Sequence, residues 1–339
     1  MIDIFFSNVF LLYFIKGENM KKLISIVAPM YNEEALVETY CQTTLESLAS
    51  LKDKYDIELL LVNDGSHDST WKLMESIQNK YPEQIALVNL SRNFGLEGAV
   101  HAGLNKATGD AVIVMDADLQ DPPALILDMV KKWEQGADVV VCKRSKRKND
   151  TFFKRTTASL FYGVMDSLSG KIKLERNAAN YRLLSRNAVN ELLKLSETNG
   201  VFRVQVPFLG MQIATLSYER DGRFAGKTKY NFSSMVRYAL DSLTDISIEP
   251  LRKLYLCLLA TTITFFAGII GLILGSEFWK GIFLLILVGS IFFTLLFICL
   301  IVIAEYIGQI MQEVKNRPSY IIYSYLPSLN TRKDESHAI

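Results

Sequence analysis

Cysteine is scarce in this sequence, and its distribution argues against two classes of structure. The chain has 339 residues and four cysteines, none of them in a Cys-x-x-Cys pair. A disulfide-stapled fold and a cysteine-based zinc site are therefore not expected. Net charge is almost absent too, at a formal +1, and the sequence has no nucleic-acid-binding motif, so nucleic acid is not an expected partner. The chain shows neither an internal repeat nor a low-complexity segment.

Charge is also missing from two long apolar runs near the C-terminus. Residues Leu254–Leu274 and Ile282–Ala304 contain no charged side chain, and each has about the 20 apolar residues that cross a hydrocarbon core. A two-helix transmembrane hairpin is predicted for residues 254–304, and a buried hairpin of a soluble protein is the alternative. Basic residues on the outer flanks place both flanks in the cytoplasm by the positive-inside rule. This predicts a multi-pass protein of the cytoplasmic (inner) membrane.

The first 19 residues lack the marks of a signal peptide. The apolar run MIDIFFSNVFLLYFI has no basic n-region and no small-residue cleavage site, and it is too short for a full span. The segment KGEN just before Met20 can be back-translated as a purine-rich ribosome-binding sequence, and MKKLISIVAPMYNEE is a natural protein start. Residues 1–19 are therefore expected to be a non-native or untranslated extension, with a peripheral hydrophobic anchor as the alternative.

Strand-like and helix-like segments alternate before the spans. The strand-like runs are short and rich in Val, Ile and Leu, and amphipathic stretches such as Glu34–Leu51 and Ser69–Lys80 lie between them. This alternation predicts an α/β domain with a largely parallel sheet, whose ligands bind at the carboxyl ends of the strands. The predicted strands are Ile24–Ala28, Glu58–Val62, Ile85–Asn89, Ala111–Met115 and Asp138–Cys142.

Two features suit a membrane surface. Residues 231–253 combine charges with apolar residues at helical spacing, which predicts an amphipathic helix in the membrane interface; a surface helix packed on the domain is the alternative. Basic residues cluster in Lys143–Lys148 and again between Arg220 and Lys229. Next to a membrane, such clusters fit anionic lipid head groups or phosphates better than nucleic acid.

Two aspartates follow the fourth predicted strand, in the sequence VIVMDADLQDPP. Asp116 and Asp118 are one residue apart, and Asp121 lies just beyond them. Paired carboxylates can hold Mg²⁺ or Mn²⁺, because these cations prefer oxygen ligands and share them with substrate phosphates. Taken alone, such a pair is more often a solvated turn. Its position at a strand end, beside other polar strand ends, favours a metal-diphosphate site.

Five segments together resemble a known family: SIVAPMYNEE, LLLVNDGSHDST, LSRNFGLEGAVHAGLNKATGD, VIVMDADLQDPP and YERDGRFAGKTKY. They are similar to the family 2 glycosyltransferases with a GT-A fold. With two C-terminal spans, the pattern resembles the polyprenyl-phosphate glycosyltransferases, namely the bactoprenol glucosyltransferases and the dolichyl-phosphate mannose synthase relatives. The resemblance implies a Rossmann-like GT-A domain over residues 20–230, the interfacial region 231–253, the hairpin 254–304, and a cytoplasmic juxtamembrane helix and tail over residues 305–339.

The resemblance also implies roles for individual residues. Asp116 and Asp118 would bind the metal and diphosphate, and Gln120 and Asp121 would face the donor sugar. The alternative for Asp64 is a turn that caps the next helix. The implied nucleotide-binding set is Pro29, Tyr31, Glu33, Asp64, Arg92 and Asp116, and the catalytic set is Asp118, Asp121, Asn180 and Arg182. Acceptor or diphosphate binding is expected of Arg203, Gln205, Arg220, Arg223 and Lys229, although Arg203 and Gln205 fit helix-surface roles equally well.

The implied reaction is an inverting transfer of glucose or N-acetylglucosamine from a UDP-sugar to undecaprenyl (polyprenyl) phosphate at the cytoplasmic face, with Mg²⁺ or Mn²⁺. A GDP-mannose-dependent mannosyltransferase and a catalytically weak membrane scaffold are the alternatives. A flippase or small membrane partner and a homo-oligomer are further expected partners. Polymer synthases of the family are disfavoured because the chain has no QxxRW motif.

The sequence departs from the family pattern at three places. Asn180 stands where relatives carry an aspartate proposed as base or acceptor-orienting group. Leu96 stands where many relatives carry lysine, and Asn199–Gly210 lacks a tryptophan common in this region. An acceptor phosphate is largely ionised at neutral pH, since its second pKa is about 6. The amide at position 180 can therefore still orient the acceptor oxygen, and an impaired enzyme is the alternative.

Overall fold

The computed structural model describes residues 21–144, 178–195, 201–219, 278–315 and 317–330, together with residues 259, 260 and 263. Within these ranges the chain forms an eight-stranded, mostly parallel sheet with helices on both faces. The α/β class predicted from the alternation of segments is therefore confirmed.

Four parallel strands form the centre of the sheet. They are β1 (Lys22–Met30), β2 (Tyr55–Asn63), β3 (Ile85–Leu90) and β4 (Ala111–Val114). All residues of β1 except the first are buried, as expected for a strand that is covered on both faces and therefore reads as a continuous apolar run. Each of these strands overlaps a predicted one.

Four further strands extend the sheet at both edges. They are β5 (Val139–Arg144), β6 (Ala178–Ser185), β7 (Ile213–Tyr218) and β8 (Ile322–Leu326). The strand order is β7-β5-β6-β4-β1-β2-β3-β8, in which β6 runs antiparallel to both β4 and β5, and β8 runs antiparallel to β3. Only β5 was predicted from the sequence.

In the part of the chain that the structure describes, six helices cover the two faces of the sheet. The helices α1, α2 and α4 bury apolar side chains on one face, and α3, α5 and α6 do so on the other. Each face thereby removes a large apolar area from water, which is the main favourable contribution to folding. The helices are α1 (Val37–Ser47), α2 (Thr70–Lys80), α3 (Gly95–Lys106), α4 (Ile126–Glu134), α5 (Arg186–Leu192) and α6 (Phe202–Phe208).

A long apolar helix, α7 (Phe278–Lys315), contains the second predicted span. Its segment Leu287–Gly308 is long and apolar enough to cross a membrane, and it is the one such helix in the part of the chain that the structure describes. The first predicted span and the interfacial region 231–253 lie outside the described residues, apart from residues 259, 260 and 263. The two-helix hairpin therefore stays a prediction.

The chain returns to the sheet after α7, which the sequence analysis did not foresee. Residues 305–339 were expected to form a juxtamembrane helix and tail only, whereas β8 lies within them and pairs with β3. The backbone N–H of Ser91 donates to the carbonyl of Ile321 at 2.9 Å, and the Gln78 side chain donates to the carbonyl of Leu326 at 3.0 Å. Strand β8 is short and mostly half-buried, so its apolar pattern is too weak to identify it in advance.

Helix α3 packs closely on the sheet because residue 103 is glycine. A Cβ at this position would overlap Cγ1 of Val27 and lie 3.0 Å from Cγ2 of Val62. We predict that Gly103→Ala lowers the free energy of unfolding by about 1–3 kcal/mol, the usual cost of overpacking a core. Thermal unfolding of the detergent-solubilised chain measures the effect. Adding Val27→Ala should recover part of the loss, whereas an unchanged melting temperature in the single variant would contradict this packing.

Candidate functional site

The carboxyl ends of the parallel strands bring their polar residues to one edge of the sheet. The last residue of β1, Met30, pairs with Asn63 at the end of β2, and Asn63 pairs with Asn89 in β3. On the other side of β1, Met115 donates its backbone N–H to the carbonyl of Val27 at 3.0 Å. The segments that follow β1, β2, β3 and β4 therefore meet at this edge, as the sequence predicts.

The loops after β1 and β2 are fastened to each other. The backbone N–H of Asn32 donates to the Ser66 hydroxyl at 3.0 Å, and the backbone N–H of His67 donates to the Asn32 side chain at 2.8 Å. Asn32 has a φ of 49°, in the left-handed region that asparagine tolerates better than most residues. These bonds hold the partly exposed Tyr31 and Glu33 in place. Pro29 is buried within β1.

Asp64 binds the start of α3. Its two carboxylate oxygens accept the backbone N–H groups of Phe94 at 2.7 Å and Gly95 at 3.0 Å. Burial raises the pKa of Asp64 to about 6, although the two backbone hydrogen bonds and the Arg92 guanidinium act to lower it. The alternative that the sequence left open, a helix cap, is therefore present, but the capped helix is α3 rather than α2. A nucleotide contact by Asp64 stays a prediction.

Arg92 lies on the loop that packs against Asp64. Its guanidinium stacks over the Phe94 ring at 3.9 Å, and the residue is exposed. Gly65 has a φ of +64°, and a Cβ there would overlap the backbone of Arg92, so this position requires glycine. The close approach fixes Arg92 at the rim of the same edge, where a nucleotide is predicted to bind.

The paired aspartates lie directly beyond β4. Asp116 and Asp118 are both partly exposed, and the turn is shaped by Leu119, with a φ of 53°, and by a 3.2 Å bond from the Gln120 N–H to Asp118. Among the described residues, no group of three or more His, Cys, Asp or Glu side chains could hold a metal alone. The pair fits a cation such as Mg²⁺, which commonly takes one or two carboxylates and completes its shell with substrate phosphates and water.

Asp121 is fully buried and is held by groups from two other strands. The Tyr218 hydroxyl donates to its Oδ1 in a short hydrogen bond, and Nη2 of Arg144 lies 3.6 Å from its Oδ2. Tyr181 packs edge-on against Tyr218, with ring centroids 6.2 Å apart, and donates to the carbonyl of Pro122 at 3.0 Å. Burial, together with the nearby carboxylate, raises the pKa of Tyr218 above its ordinary value. The hydroxyl thus stays protonated and keeps donating.

Strand β6 brings Asn180 to the aspartate pair. Val114 in β4 pairs with Arg182 in the antiparallel β6, so Asp116, beyond the end of β4, and Asn180, within β6, each lie two residues past this pair. Asn180 is buried, and its Oδ1 accepts a 3.5 Å hydrogen bond from Nη2 of Arg203. Asn180 and Arg203 therefore lie at the end of the sheet that carries the aspartates.

Arg182 and Gln205 are packed inside the domain. The Arg182 side chain is 1% exposed, donates to the carbonyls of Ala179 and Arg203, and lies 5.5 Å from the Phe202 ring centroid. Gln205 is also buried, with its Oε1 2.9 Å from Nε2 of His101. These contacts fix the position of α6 against β6 and α3, and direct roles in catalysis or acceptor binding stay predictions.

Two residues that contact Asp121, Arg144 and Tyr218, were not predicted from the sequence. Arg144 lies within the basic cluster Lys143–Lys148 and Tyr218 begins the YERDGRFAGKTKY segment, so both were inside segments already singled out. Their pairing with Asp121 depends on the order of β5 and β7 in the sheet, which the sequence did not predict. Three of the predicted basic residues, Arg220, Arg223 and Lys229, lie outside the described residues.

Comparisons with known proteins agree with this geometry. Residues 25–193 match the family described as Glycosyl transferase family 2. The chain is 37% identical over 302 residues to a Bacillus subtilis (strain 168) protein named Uncharacterized glycosyltransferase YkcC, covering 88% of this chain and 92% of that one. It is 38% identical over 304 residues to the Bactoprenol glucosyl transferase of Shigella phage SfII, covering 88% and 97%.

Among solved structures, the chain is similar to glucosyl-3-phosphoglycerate synthase from Mycobacterium tuberculosis in complex with Mn²⁺ and UDP-glucose. Its sequence identity to this chain is 19%, the alignment covers 66% of this chain and 77% of that one, and the TM-score is 0.44. The match to the family, together with the strand order, confirms the Rossmann-like GT-A fold.

The burial of Asp64 predicts that the free energy of unfolding depends on pH. Its pKa rises from 3.8 to about 6 on folding, so the folded chain holds this proton more tightly than the unfolded chain does. The resulting stability is present below about pH 4 and is lost as the pH rises through about 6. Compared with Asp64→Asn, the wild-type chain should therefore lose thermal stability across this interval. A difference in melting temperature that stays constant, or changes in the other direction, would contradict the assignment.

The hydroxyl of Tyr218 should be needed to keep Asp121 buried. Tyr218→Phe removes the hydroxyl donor, so the buried carboxylate of Asp121 has one hydrogen bond fewer. We predict that this lowers the free energy of unfolding by about 1.5–3 kcal/mol. Tyr323→Phe is the matched control, since Tyr323 is 77% exposed. Denaturant unfolding of both variants compares them, and equal stabilities would show that the Tyr218–Asp121 bond contributes nothing.

Proposed function

The chain belongs to glycosyl transferase family 2, and from that membership we propose that it transfers a hexose from a UDP-sugar to polyprenyl phosphate. The hexose is glucose or N-acetylglucosamine, the acceptor is undecaprenyl phosphate at the cytoplasmic face of the membrane, and the transfer inverts the anomeric centre. The product is a lipid-linked sugar, a donor for modification of cell-envelope glycans. The bactoprenol glucosyl transferase among its relatives supports the acceptor class.

One observation carries the proposal: the edge of the sheet with the aspartate pair is tied to the end of the apolar helix. The carbonyl of Ile321 accepts the N–H of Ser91, just past the carboxyl end of β3. Helix α7 ends at Lys315, and the six steps from there to Ile321 span at most about 20 Å of extended chain. The end of α7 is therefore close to the carboxyl ends of the parallel strands, where the aspartate pair lies, rather than to their amino ends. This supports an acceptor whose phosphate is presented from a membrane.

The residues at the site fit a single displacement. An oxygen of the acceptor phosphate attacks the anomeric carbon, and the bond from that carbon to the diphosphate breaks, with the electron pair leaving on UDP. The acceptor oxygen needs no general base, because a phosphate monoester is largely ionised at pH 7. In this proposal the Asn180 amide orients the acceptor phosphate, and Arg203 adds positive charge beside it.

The donor is held at the other side of the site. The rigid loops after β1, β2 and β3 receive the nucleotide, and Asp121 faces the sugar from its buried position. Asp116 and Asp118 would hold Mg²⁺ or Mn²⁺ together with the donor diphosphate. When bound there, the cation neutralises charge on the diphosphate and makes it a better leaving group.

A second candidate function is a membrane scaffold with only weak catalytic activity. It is favoured by Asn180, which stands where the family pattern has aspartate. In this reading the chain would act on a flippase or another small membrane partner. The two functions predict different effects on transfer activity for Asn180→Asp, the variant that restores the carboxylate at position 180.

Transfer activity should depend on Asp118. We predict that membranes carrying the chain, given radiolabelled UDP-glucose, UDP-N-acetylglucosamine or GDP-mannose with undecaprenyl phosphate and Mn²⁺ or Mg²⁺, form a labelled lipid from one UDP-sugar. Asp118→Asn and chelation should each lower the rate at least about a hundredfold, since both remove stabilisation of the leaving group. Asp128→Asn, an exposed aspartate on α4, is the matched control and should keep the wild-type rate.

Three results would change the account. If labelled lipid forms from GDP-mannose alone, the donor is GDP-mannose rather than a UDP-sugar. Full activity in Asp118→Asn would contradict the role of the aspartate pair. Absence of product from the wild-type chain, with product formed by Asn180→Asp, would favour the scaffold.

A further inference from the structure

The start of α6 is capped by a side chain from a different helix. The residue before it, Val201, has no side chain that can accept a hydrogen bond, and the backbone N–H of Phe202 instead donates to Oε2 of Glu97 on α3 at 2.9 Å. The first N–H groups of a helix have no partner within the helix, so a carboxylate at this position satisfies a group that would otherwise be costly to bury.

A second contact between the same helices lies one turn further along. Nε2 of His101 is 2.9 Å from Oε1 of the buried Gln205. Because Glu97 and His101 are four residues apart, they lie on the same face of α3. Together with Phe202 and Gln205 they form what we call the α3–α6 clamp.

Helix α6 carries a charged side chain into the site. Arg203 donates from Nη2 to Oδ1 of Asn180 at 3.5 Å, and its carbonyl accepts a hydrogen bond from Arg182. Asn180 is on β6, which pairs with β4 at the end of that strand that leads to Asp116. The position of the Arg203 guanidinium therefore follows from where α6 is held.

The other end of this connection is the loop after β2. Asp64 accepts the N–H groups of Phe94 and Gly95 at the start of α3, and Gly103 lets the same helix lie close against the sheet. Helix α3 is thus fixed at its start and along its length. It joins the proposed nucleotide side of the site to the helix that carries Arg203.

We propose that Glu97 is a positioning residue for the acceptor side of the site. Its carboxylate holds α6 so that Arg203 meets Asn180 next to the aspartate pair, although Glu97 itself contacts neither substrate. The proposal rests on the proposed function, since it assigns the phosphate of the lipid acceptor to the Arg203–Asn180 pair.

The test compares Glu97→Ala and Glu97→Gln with Glu46→Ala, an exposed glutamate on α1, as the matched control. Glutamine keeps an oxygen that can accept the Phe202 N–H, whereas alanine removes the cap. We expect Glu97→Ala to lower kcat/KM for polyprenyl phosphate about tenfold, with the KM for the nucleotide sugar within about twofold of wild type, and Glu97→Gln to keep most of the activity. Equal kcat/KM values for the acceptor in Glu97→Ala and Glu46→Ala would overturn the proposal. A loss of kcat/KM in Glu97→Ala that is equally large for the acceptor and for the nucleotide sugar would also overturn it.

Hydrogen exchange of the solubilised full chain provides a readout that needs no transfer activity. The peptide that covers α6 should exchange faster in Glu97→Ala than in the wild type or in Glu97→Gln, while peptides from β1 and β2 stay unchanged. Unchanged exchange in α6 would overturn the clamp even if the enzyme is active. If the wild-type chain transfers no sugar from any donor, the proposed function fails, and the exchange rates of α6 still decide whether Glu97 holds this helix.

Discussion

The parallel register of β1 with β2 and β4 is the constraint from which the whole site follows. It brings the ends of three strands, and with β3 a fourth, to one edge of the sheet. A shift of one residue would turn every side chain of a strand to the other face. It would separate the buried pair Ser25 and Glu58, whose side chains are hydrogen-bonded across β1 and β2 at 2.7 Å. The antiparallel β6 then carries Asn180 to the end of β4 that leads to Asp116, so residues far apart in the chain share one end of the sheet.

The pairing of β3 with β8 extends this arrangement to the apolar helix α7. Strand β8 follows the apolar helix α7 after a short connector, and its first hydrogen bonds are to residues at the carboxyl end of β3. At its other end, the hydroxyl of Ser328 donates to the buried Glu58 at 3.4 Å. The return of the chain thereby attaches the helix to the sheet at the edge that carries the aspartate pair. In the proposed function, a lipid acceptor and a water-soluble nucleotide sugar would both bind at this edge.

The features that could be predicted from the sequence are those carried by contiguous residues. Strands β1 to β5 are apolar runs, and the aspartate pair directly follows one of them, so the strands and the position of the pair at a strand end were predicted correctly. Metal binding by the pair stays a prediction. Strand β7 alternates between exposed and half-buried residues for most of its length, and β8 is half-buried apart from one exposed residue; short strands of this kind give little apolar signal. The contacts of Asp121 with Arg144 and Tyr218, and of Glu97 with Phe202, join residues 23, 97 and 105 positions apart. Such pairs depend on the order of strands and the packing of helices, which no local pattern contains.

The central claim is that the connector between α7 and β8 holds the site edge at the membrane. It is tested most directly by inserting a short Gly-Ser segment after Arg317 and measuring sugar transfer to two acceptors, undecaprenyl phosphate in a bilayer and a short, water-soluble polyprenyl phosphate. The account predicts that the insertion lowers the rate with the bilayer acceptor about tenfold or more, because the acceptor phosphate is no longer presented in the right position, and leaves the rate with the soluble acceptor unchanged. Equal rates for the inserted and wild-type chains with the bilayer acceptor would contradict it.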